Sequence, residues 1–496
     1  MKAALWSAHR WLGLISCVGV VLWGLSGALH PVLSRVQPRA AAMQPPQPII
    51  DTTNAAPLAT LLAAAKVERI GALSLADVAG RAAWRVDARA GTSTRYFALD
   101  DGSELADADR TRALALARHY VGRADTPVLA VTQLRRFDDD YRPGNRILPV
   151  WRIDFAEASG LRAYVDTEQG RLVSLTDDRR ARLSRLFRIG HNFEPLAGWP
   201  WLQRTLLSLL LVFATLSALI GLWFWWALRH NAPRRLARRP LARWHRRLAW
   251  PLALVMLAFS LTGLLHLWVG AVQDEMPALQ APLNLPTRML GAVPAGRFTR
   301  LALVPGGDTA QWLGQAADGP HAVKTKAAAT RHATHGGSVT APHLLRFALD
   351  SGLLLDHRVD MLAFAQVAAA TGITETTLRG GTWVTRFDDE YGFRFKRLPV
   401  IRVLGEDARF YAEPMSGVVV RVNDTDALES RLFALAHTWR WSPAWKEVID
   451  WAKAGVSLVI VALGLVGVLL FLRLPRLRRH SRPTPSRTAI AGSPAV

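Results

Sequence analysis

Four apolar runs, each long enough to cross a bilayer, constrain this chain more than any other feature. They lie at roughly Ala8 to Leu29, Trp201 to Leu228, Leu248 to Val269 and Val448 to Leu472. A helix rises about 1.5 Å per residue, so about 20 apolar residues cover the hydrocarbon layer. The first run has full spanning length and a counterpart deep in the chain. It therefore reads as a membrane helix and not a cleaved leader, although Ala40-Ala41-Ala42 looks like a cleavage tail. Tryptophans such as Trp6, Trp11, Trp199, Trp201, Trp226, Trp244, Trp268, Trp441 and Trp451 gather at the run ends, as in an interfacial belt. The single cysteine, Cys17, rules out an internal disulfide, a cysteine-ligated iron–sulfur cluster and a covalently attached c-type haem.

The net charge of +22 is concentrated in three places. Lys2 and Arg10 precede or enter the first run. Arg229, Arg234, Arg235, Arg238, Arg239, Arg243, Arg246 and Arg247 lie around the start of the third. Arg473, Arg476, Arg478, Arg479, Arg482 and Arg487 follow the fourth. The rest of the chain is nearly balanced, and no basic module suited to DNA is present, so nucleic acid is not an expected partner. Arginine clusters beside spanning helices stay in the cytoplasm. This predicts cytoplasmic termini and two large segments on the far side, which is the periplasm if the membrane is a bacterial inner membrane. The expected domains are 1–32 (N-terminus and first helix), 33–198 (first outer α+β domain), 199–228 (second helix), 229–243 (Arg-rich loop), 244–270 (third helix), 271–446 (second outer α+β domain), 447–473 (fourth helix) and 474–496 (basic tail). Strands are expected at Arg95–Leu99, Val150–Phe155, Arg162–Val165 and Arg409–Ala412, and helices at Asp109–Tyr120 and Val359–Ala370. Gln44–Pro48 and His321–Gly337 read as loops.

The chain also aligns with itself. His9-Arg10 matches His245-Arg246, and Leu25-Ser26-Gly27-Ala28-Leu29-His30 matches Leu261-Thr262-Gly263-Leu264-Leu265-His266. Phe97-Ala98-Leu99-Asp100 matches Phe347-Ala348-Leu349-Asp350. Arg136-Phe137-Asp138-Asp139-Asp140-Tyr141 matches Arg386-Phe387-Asp388-Asp389-Glu390-Tyr391. Leu148-Pro149-Val150 matches Leu398-Pro399-Val400, and His191 matches His437. The order is kept and the offset drifts slowly, as a tandem duplication with small insertions produces. The fold class that follows is an integral membrane four-helix bundle, each half contributing helix, outer domain, helix. The halves share one orientation, so their pseudo-twofold runs along the membrane normal.

Of the fourteen histidines, six fall at matched positions beside apolar helices: His9, His30, His191, His245, His266 and His437. His9 and His30 are separated by about 31 Å of helix, as are His245 and His266, and each pair lies on one face of a supercoiled helix. Two histidines thus gather at the inner surface and four at the outer. Ionisable groups at membrane depth are functional candidates, and helix bundles build cofactor sites from facing side chains. Neutral imidazole is an iron ligand. Gly27 and Gly263, three residues before an outer histidine, leave room for a flat ring or for close helix packing.

Trp6-Ser7-Ala8-His9-Arg10-Trp11-Leu12-Gly13-Leu14, with a Ser/Thr-Gly-x-x-His ending the first and third helices, resembles the PepSY-associated transmembrane family. That family includes iron-uptake-linked di-haem ferric-siderophore reductases. The resemblance implies two PepSY-like outer domains and two b-type haems held through the six matched histidines. It implies electron flow outward to a ferric-siderophore or other Fe(III) chelate. The third helix departs from the motif, with Arg247-Leu248-Ala249 where the first has Trp11-Leu12-Gly13. His9 and His245 are expected to pair at the inner surface. At the outer surface two of His30, His266, His191 and His437 are expected to pair: His30 with His266 respects the pseudo-twofold, and pairing with a histidine that precedes the second or fourth helix is an equal alternative. No dinucleotide fingerprint is present, so a quinol or a separate cytoplasmic reductase is the expected donor. Asp138–Asp140 and the 388–390 motif read as repeated acidic turns. The histidines His321, His332, His335 and His343 read as belonging to a loop. A membrane-anchored PepSY binding or inhibitory module without redox activity is the alternative class. It needs no matched histidines.

Overall fold

The computed structural model describes residues 2–88, 94–228, 240–270, 278–307, 309–317, 339–442 and 444–478. Arg229, Arg234, Arg235, Arg238 and Arg239 of the basic loop lie outside the described residues, as do Arg479, Arg482 and Arg487 of the tail and His321, His332 and His335. The chain divides into a helical unit, Met1–Val32, Arg185–Leu267 and Phe433–Val496, and a sheet-rich unit, Leu33–Ser184 and Trp268–Leu432.

In the helical unit four helices are long and apolar enough to cross a membrane: Lys2–Ala28, Pro200–Leu228, Pro240–Leu265 and Lys446–Arg478, here the first to fourth spanning helices. The third starts earlier than its apolar run and continues through Pro251. Two wide π-helical turns, His266–Gly270 and Phe433–His437, each carry a matched histidine. The first helix packs on the second and fourth, and the third packs on the same two, so first and third stand diagonally. The bundle is inside-out relative to a water-soluble one. Its buried positions include Ser16, Ser26, Ser217, Ser260, Thr262 and Ser457, while Val18, Leu25, Leu209, Leu219, Leu254, Leu261, Leu465 and Leu469 are exposed. Small residues inside and leucines outside are what helix contact in lipid selects. A side chain at Gly24 would strike Val461 and the Ser457 carbonyl, so glycine there sets the close approach of first and fourth helices.

The sheet-rich unit has nine strands from the first segment: β1 Ile50–Asp51, β2 Arg69–Ile70, β3 Ala72–Val78, β4 Arg81–Asp87, β5 Thr94–Ala98, β6 Val128–Leu134, β7 Val150–Phe155, β8 Arg162–Asp166 and β9 Arg171–Thr176. The second segment adds β10 Leu279–Gln280, β11 Leu285–Pro286, β12 Arg297–Gly306, β13 Thr309–Ala316, β14 Leu345–Phe347, β15 Leu354–Asp356, β16 Arg379–Val384, β17 Val400–Leu404, β18 Ala408–Glu413 and β19 Val418–Asn423. β6 to β9 form one antiparallel meander and β16 to β19 another, the latter extended by β10 on β19. Helices Ala108–Val121 and Val359–Thr371 end at Gly122 and Gly372, both left-handed, a conformation glycine adopts without strain. Asp138 Oδ1 accepts from the amides of Asp140 and Tyr141, and Asp388 Oδ1 from those of Glu390 and Tyr391. The acidic motifs are therefore turns.

The two segments, expected as one domain each, are not separate. β3 pairs antiparallel with β12, Leu73 opposite Leu303 and Ser74 opposite Ala302, within one sheet ordered β15-β14-β13-β12-β3-β4-β5 with β1 also on β12. β2 pairs with β11. The physical reason is edge protection: β3 and β12 would each expose an unpaired backbone edge, and pairing removes both. One core then draws on both segments, with Leu73, Trp84 and Phe97 beside Leu301, Trp312 and Phe347. The ring of Trp84 lies 5.8 Å from that of Trp312. Charge joins the segments as well. Arg171 reaches Asp166 at 3.0 Å and Glu413 at 2.7 Å, and Arg397 reaches Glu413 at 3.4 Å, all largely buried. The expected boundaries at 198 and 446 also move. The stretches carrying His191 and His437 group with the spanning helices.

Trp312→Ala should destabilise the sheet-rich unit by about 3–5 kcal/mol. Limited proteolysis during thermal unfolding should show both segments becoming cleavable together, whereas independent domains would leave the first protected. Glu413 supplies a pH test. Burial alone would push its carboxyl up, but Arg171 and Arg397 outweigh burial and hold it down to about 2. An unfolded glutamate ionises near ~4.3. The folded value is the lower one, so the stabilisation is complete above the unfolded value and is lost as pH falls from there towards about 2. Glu413→Gln should remove that part of the acid dependence, read by thermal unfolding across the window.

Candidate functional site

All six matched histidines belong to the helical unit, in two groups. At one end His9, on the first helix, faces the second. Its Nδ1 lies 3.0 Å from the Ser217 carbonyl and its ring lies edge-on to Phe224. A carbonyl only accepts, so Nδ1 carries the proton and donates it. A Cβ at Gly221 would come within 3.3 Å of His9 Cε1. His245, on the third helix, stands the same way against the fourth. A Cβ at Gly467 would come within 3.5 Å of its Cε1, and its Nδ1 is buried without a full hydrogen bond. His9 and His245 sit on the diagonal helices, the first and third.

At the other end His191 terminates the helix Asp178–Asn192 and His437 closes a π-helical turn. Their rings are 6.3 Å apart and perpendicular, at 88°. Phe187 stacks on His191 at 4.7 Å and Phe433 on His437 at 4.5 Å, each from four residues earlier. Phe433 also stacks on His266 at 4.3 Å. His30, at the start of the short helix His30–Arg35, is close enough for its charge to act on His191.

The tautomers at this end follow from the hydroxyls. Ser26 Oγ donates its one proton to the Leu22 carbonyl at 2.7 Å, so towards His191 Nδ1, 3.0 Å away, it accepts. Thr262 Oγ1 donates to the Ala258 carbonyl and accepts from His437 Nδ1 at 3.2 Å. Each Nδ1 therefore holds the proton and each Nε2 keeps its lone pair. Among the described residues nothing hydrogen-bonds Nε2 of His9 or His191. His191 and His437 lie outside the spanning segments. Burial, then the charges of His30, His266 and Lys453, push His191 down to about 4. Burial, then those of His191, His266 and Lys453, push His437 down to about 3. A neutral imidazole with a bare Nε2 is the ligand form for a metal centre. Fixing the opposite nitrogen by a hydrogen bond is the usual support for it. No group of three or more histidine, cysteine or carboxylate side chains is arranged for a bare metal ion among the described residues.

The family described as PepSY-associated TM region matches residues 6–473. The chain belongs to that family. It is accordingly a membrane protein, and the match takes in the four spanning helices and the sheet-rich segments between them. A search of curated proteins finds no match.

The repeat alignment reached the histidines of this family member but not their partners. Ser26 and Thr262 stood within its matched hexapeptides, and their hydroxyls were read only as part of a motif. Gly221 and Gly467 share the spacing that relates His191 to His437, and Phe187 and Phe433 share it too. That spacing was the available signal. Gly263 lies against His437, its Cβ position 3.7 Å from Cε1, and Gly27 approaches Ser457. In protein purified free of any bound group, ¹⁵N-histidine spectra should show the Nδ1-protonated form for His9, His191 and His437. Ser26→Ala should return His191 alone to a mixture of tautomers, and an unchanged His191 signal would refute the hydroxyl's role.

Proposed function

We propose that the protein is an inner-membrane electron carrier. It would hold two b-type haems, one between His9 and His245 and one between His191 and His437, and reduce ferric-siderophore or another Fe(III) chelate on the periplasmic side. The observation that carries this reading is the paired His191 and His437. These two imidazoles would hold the group between them: their rings stand 6.3 Å apart, and Nδ1 of each is tied back to a hydroxyl, which leaves the other nitrogen for a metal. The donor set thus fits a haem. Bound there, haem would supply one-electron transfer, which bis-histidine ligation favours over oxygen binding.

The chain's own residues have definable tasks. Ser26 and Thr262 keep the proton on Nδ1 and so keep Nε2 available. Phe187 and Phe433 hold the ring planes. The glycines at 221 and 467 leave space beside His9 and His245 that a side chain would fill. His9 and His245 sit on diagonal helices, each against a helix that packs on both, and four-helix bundles carry cofactors between facing side chains. His30 and His266 add to the electrostatic setting of the second pair. The recurrence of hydroxyl–imidazole, glycine–imidazole and phenylalanine–imidazole contacts in both halves supports descent from a duplicated two-helix unit. The arginine clusters support cytoplasmic termini, with a quinol or a cytoplasmic reductase as donor.

Detergent-purified protein from haem-replete cells should show a b-type spectrum that sharpens with dithionite, and a pyridine haemochrome value of two haems per chain. His9→Ala or His245→Ala should remove one haem, and His191→Ala or His437→Ala the other. A colourless preparation would overturn the proposal and leave an anchored PepSY binding or inhibitory module as the better account.

A further inference from the structure

The sheet-rich unit encloses a cavity of about 350 Å³ that electron transfer in the helical unit leaves unused. Ser74 on β3 and Ala302 on β12, opposite each other across the pairing that joins the segments, lie on its floor. Arg300 enters from β12, Arg112 and Ala115 from the helix Ala108–Val121, and Glu168 and Gln169 from the turn between β8 and β9. Both guanidiniums are half-buried.

Their bonding is unlike that of the arginines around them. Arg85 pairs with Asp87, Arg171 with Asp166 and Glu413, and Arg397 with Glu413. Arg112 instead donates to two backbone carbonyls, Asp77 at 2.8 Å and Thr167 at 3.0 Å, and Arg300 donates to the amide oxygen of Gln169. Among the described residues neither has a carboxylate at ion-pair distance. Neither of the two carboxyl groups that line the cavity, Asp77 and Glu168, is at ion-pair distance from Arg112 or Arg300. Asp77 spends its oxygens on the Gly80 amide. Burial pushes the Glu168 carboxyl up, against the charge of Arg85. Two guanidiniums close enough to repel one another therefore line one cavity with no carboxylate in contact with either, since Glu413 and Asp166, whose charges reach Arg300, are already held by Arg171 and Arg397.

We propose that this cavity binds a small oxyanion, a carboxylate or phosphate group held by the guanidiniums of Arg112 and Arg300. The planar forks suit both groups, and the volume suits a ligand of small-metabolite size. Arg112 is fixed in advance by its carbonyl partners, and Gln169 can release Arg300 to the ligand. Nothing in this cavity depends on whether the helical unit carries haem.

The test is isothermal titration of the full chain in detergent with citrate, with inorganic phosphate and with glucose as a neutral control. Saturable binding of either anion is expected, and the stronger of the two identifies the planar or tetrahedral group. Arg300→Gln should weaken it at least about tenfold, as loss of a charge-assisted hydrogen bond does. Ala115→Phe, which fills the cavity and keeps both charges, should abolish it and also serves if Arg300→Gln fails to fold. No saturable binding of either anion, equal binding of glucose, or wild-type affinity retained in either folded variant would overturn the proposal.

Discussion

In hydrocarbon there is no water to satisfy a polar side chain, so a hydroxyl or imidazole borne by a spanning helix costs free energy unless the bundle itself partners it. The helical unit is organised around that requirement. Ser26 and Thr262 return their protons to carbonyls one turn back and are left as acceptors, which fixes the state of His191 and His437. Ser217 does the same for His9 through its backbone. The one buried lysine of the fourth helix, Lys453, reaches the Thr438 carbonyl at 3.3 Å and stands near Asp450, which Lys446 holds at 2.7 Å. Small side chains line the interior because only they let helices approach closely while carrying such groups.

The sheet-rich unit answers a different constraint, that of unpaired strand edges in water. Each segment can build a meander and a short sheet, and the latter leaves an edge open. Joining β3 to β12 closes both edges at once and brings Trp84 onto Trp312 and Asp166 and Glu413 onto one arginine. Stability and the Arg112–Arg300 cavity both come from this junction, so the two segments share their energetics.

The parts legible in the sequence were those written as local periodicity or as repetition. Twenty-residue apolar runs announce spanning helices whatever their packing. The strand Val150–Phe155 and the helix near Val359–Thr371 were readable from alternation and helical period. The histidines stood out because a rare residue type recurred at matched places. What was hidden depends on distance along the chain. No local pattern says that Ser74 lies opposite Ala302, or that Arg171 meets Glu413, since strand pairing is chosen by edges left open elsewhere. Gly221 and Gly467 escaped because glycine in an apolar helix is common, and its meaning appears only with the imidazole it faces. The third helix begins at Pro240, ahead of the Leu248 expected from its apolar run, because the arginine-rich stretch before that run is helical too.

The pairing of β3 with β12 has a consequence for biosynthesis. β3 is made soon after the first spanning helix, but its partner is translated only after the second and third helices have been threaded into the membrane. Throughout that interval the nascent first segment carries an uncapped strand and half of a tryptophan core. Such late, long-range closure is slow and leaves the intermediate open to mispairing with other chains. The fold therefore imposes an order on insertion and folding, in which the membrane-embedded hairpin of second and third helices must be settled before the sheet can close.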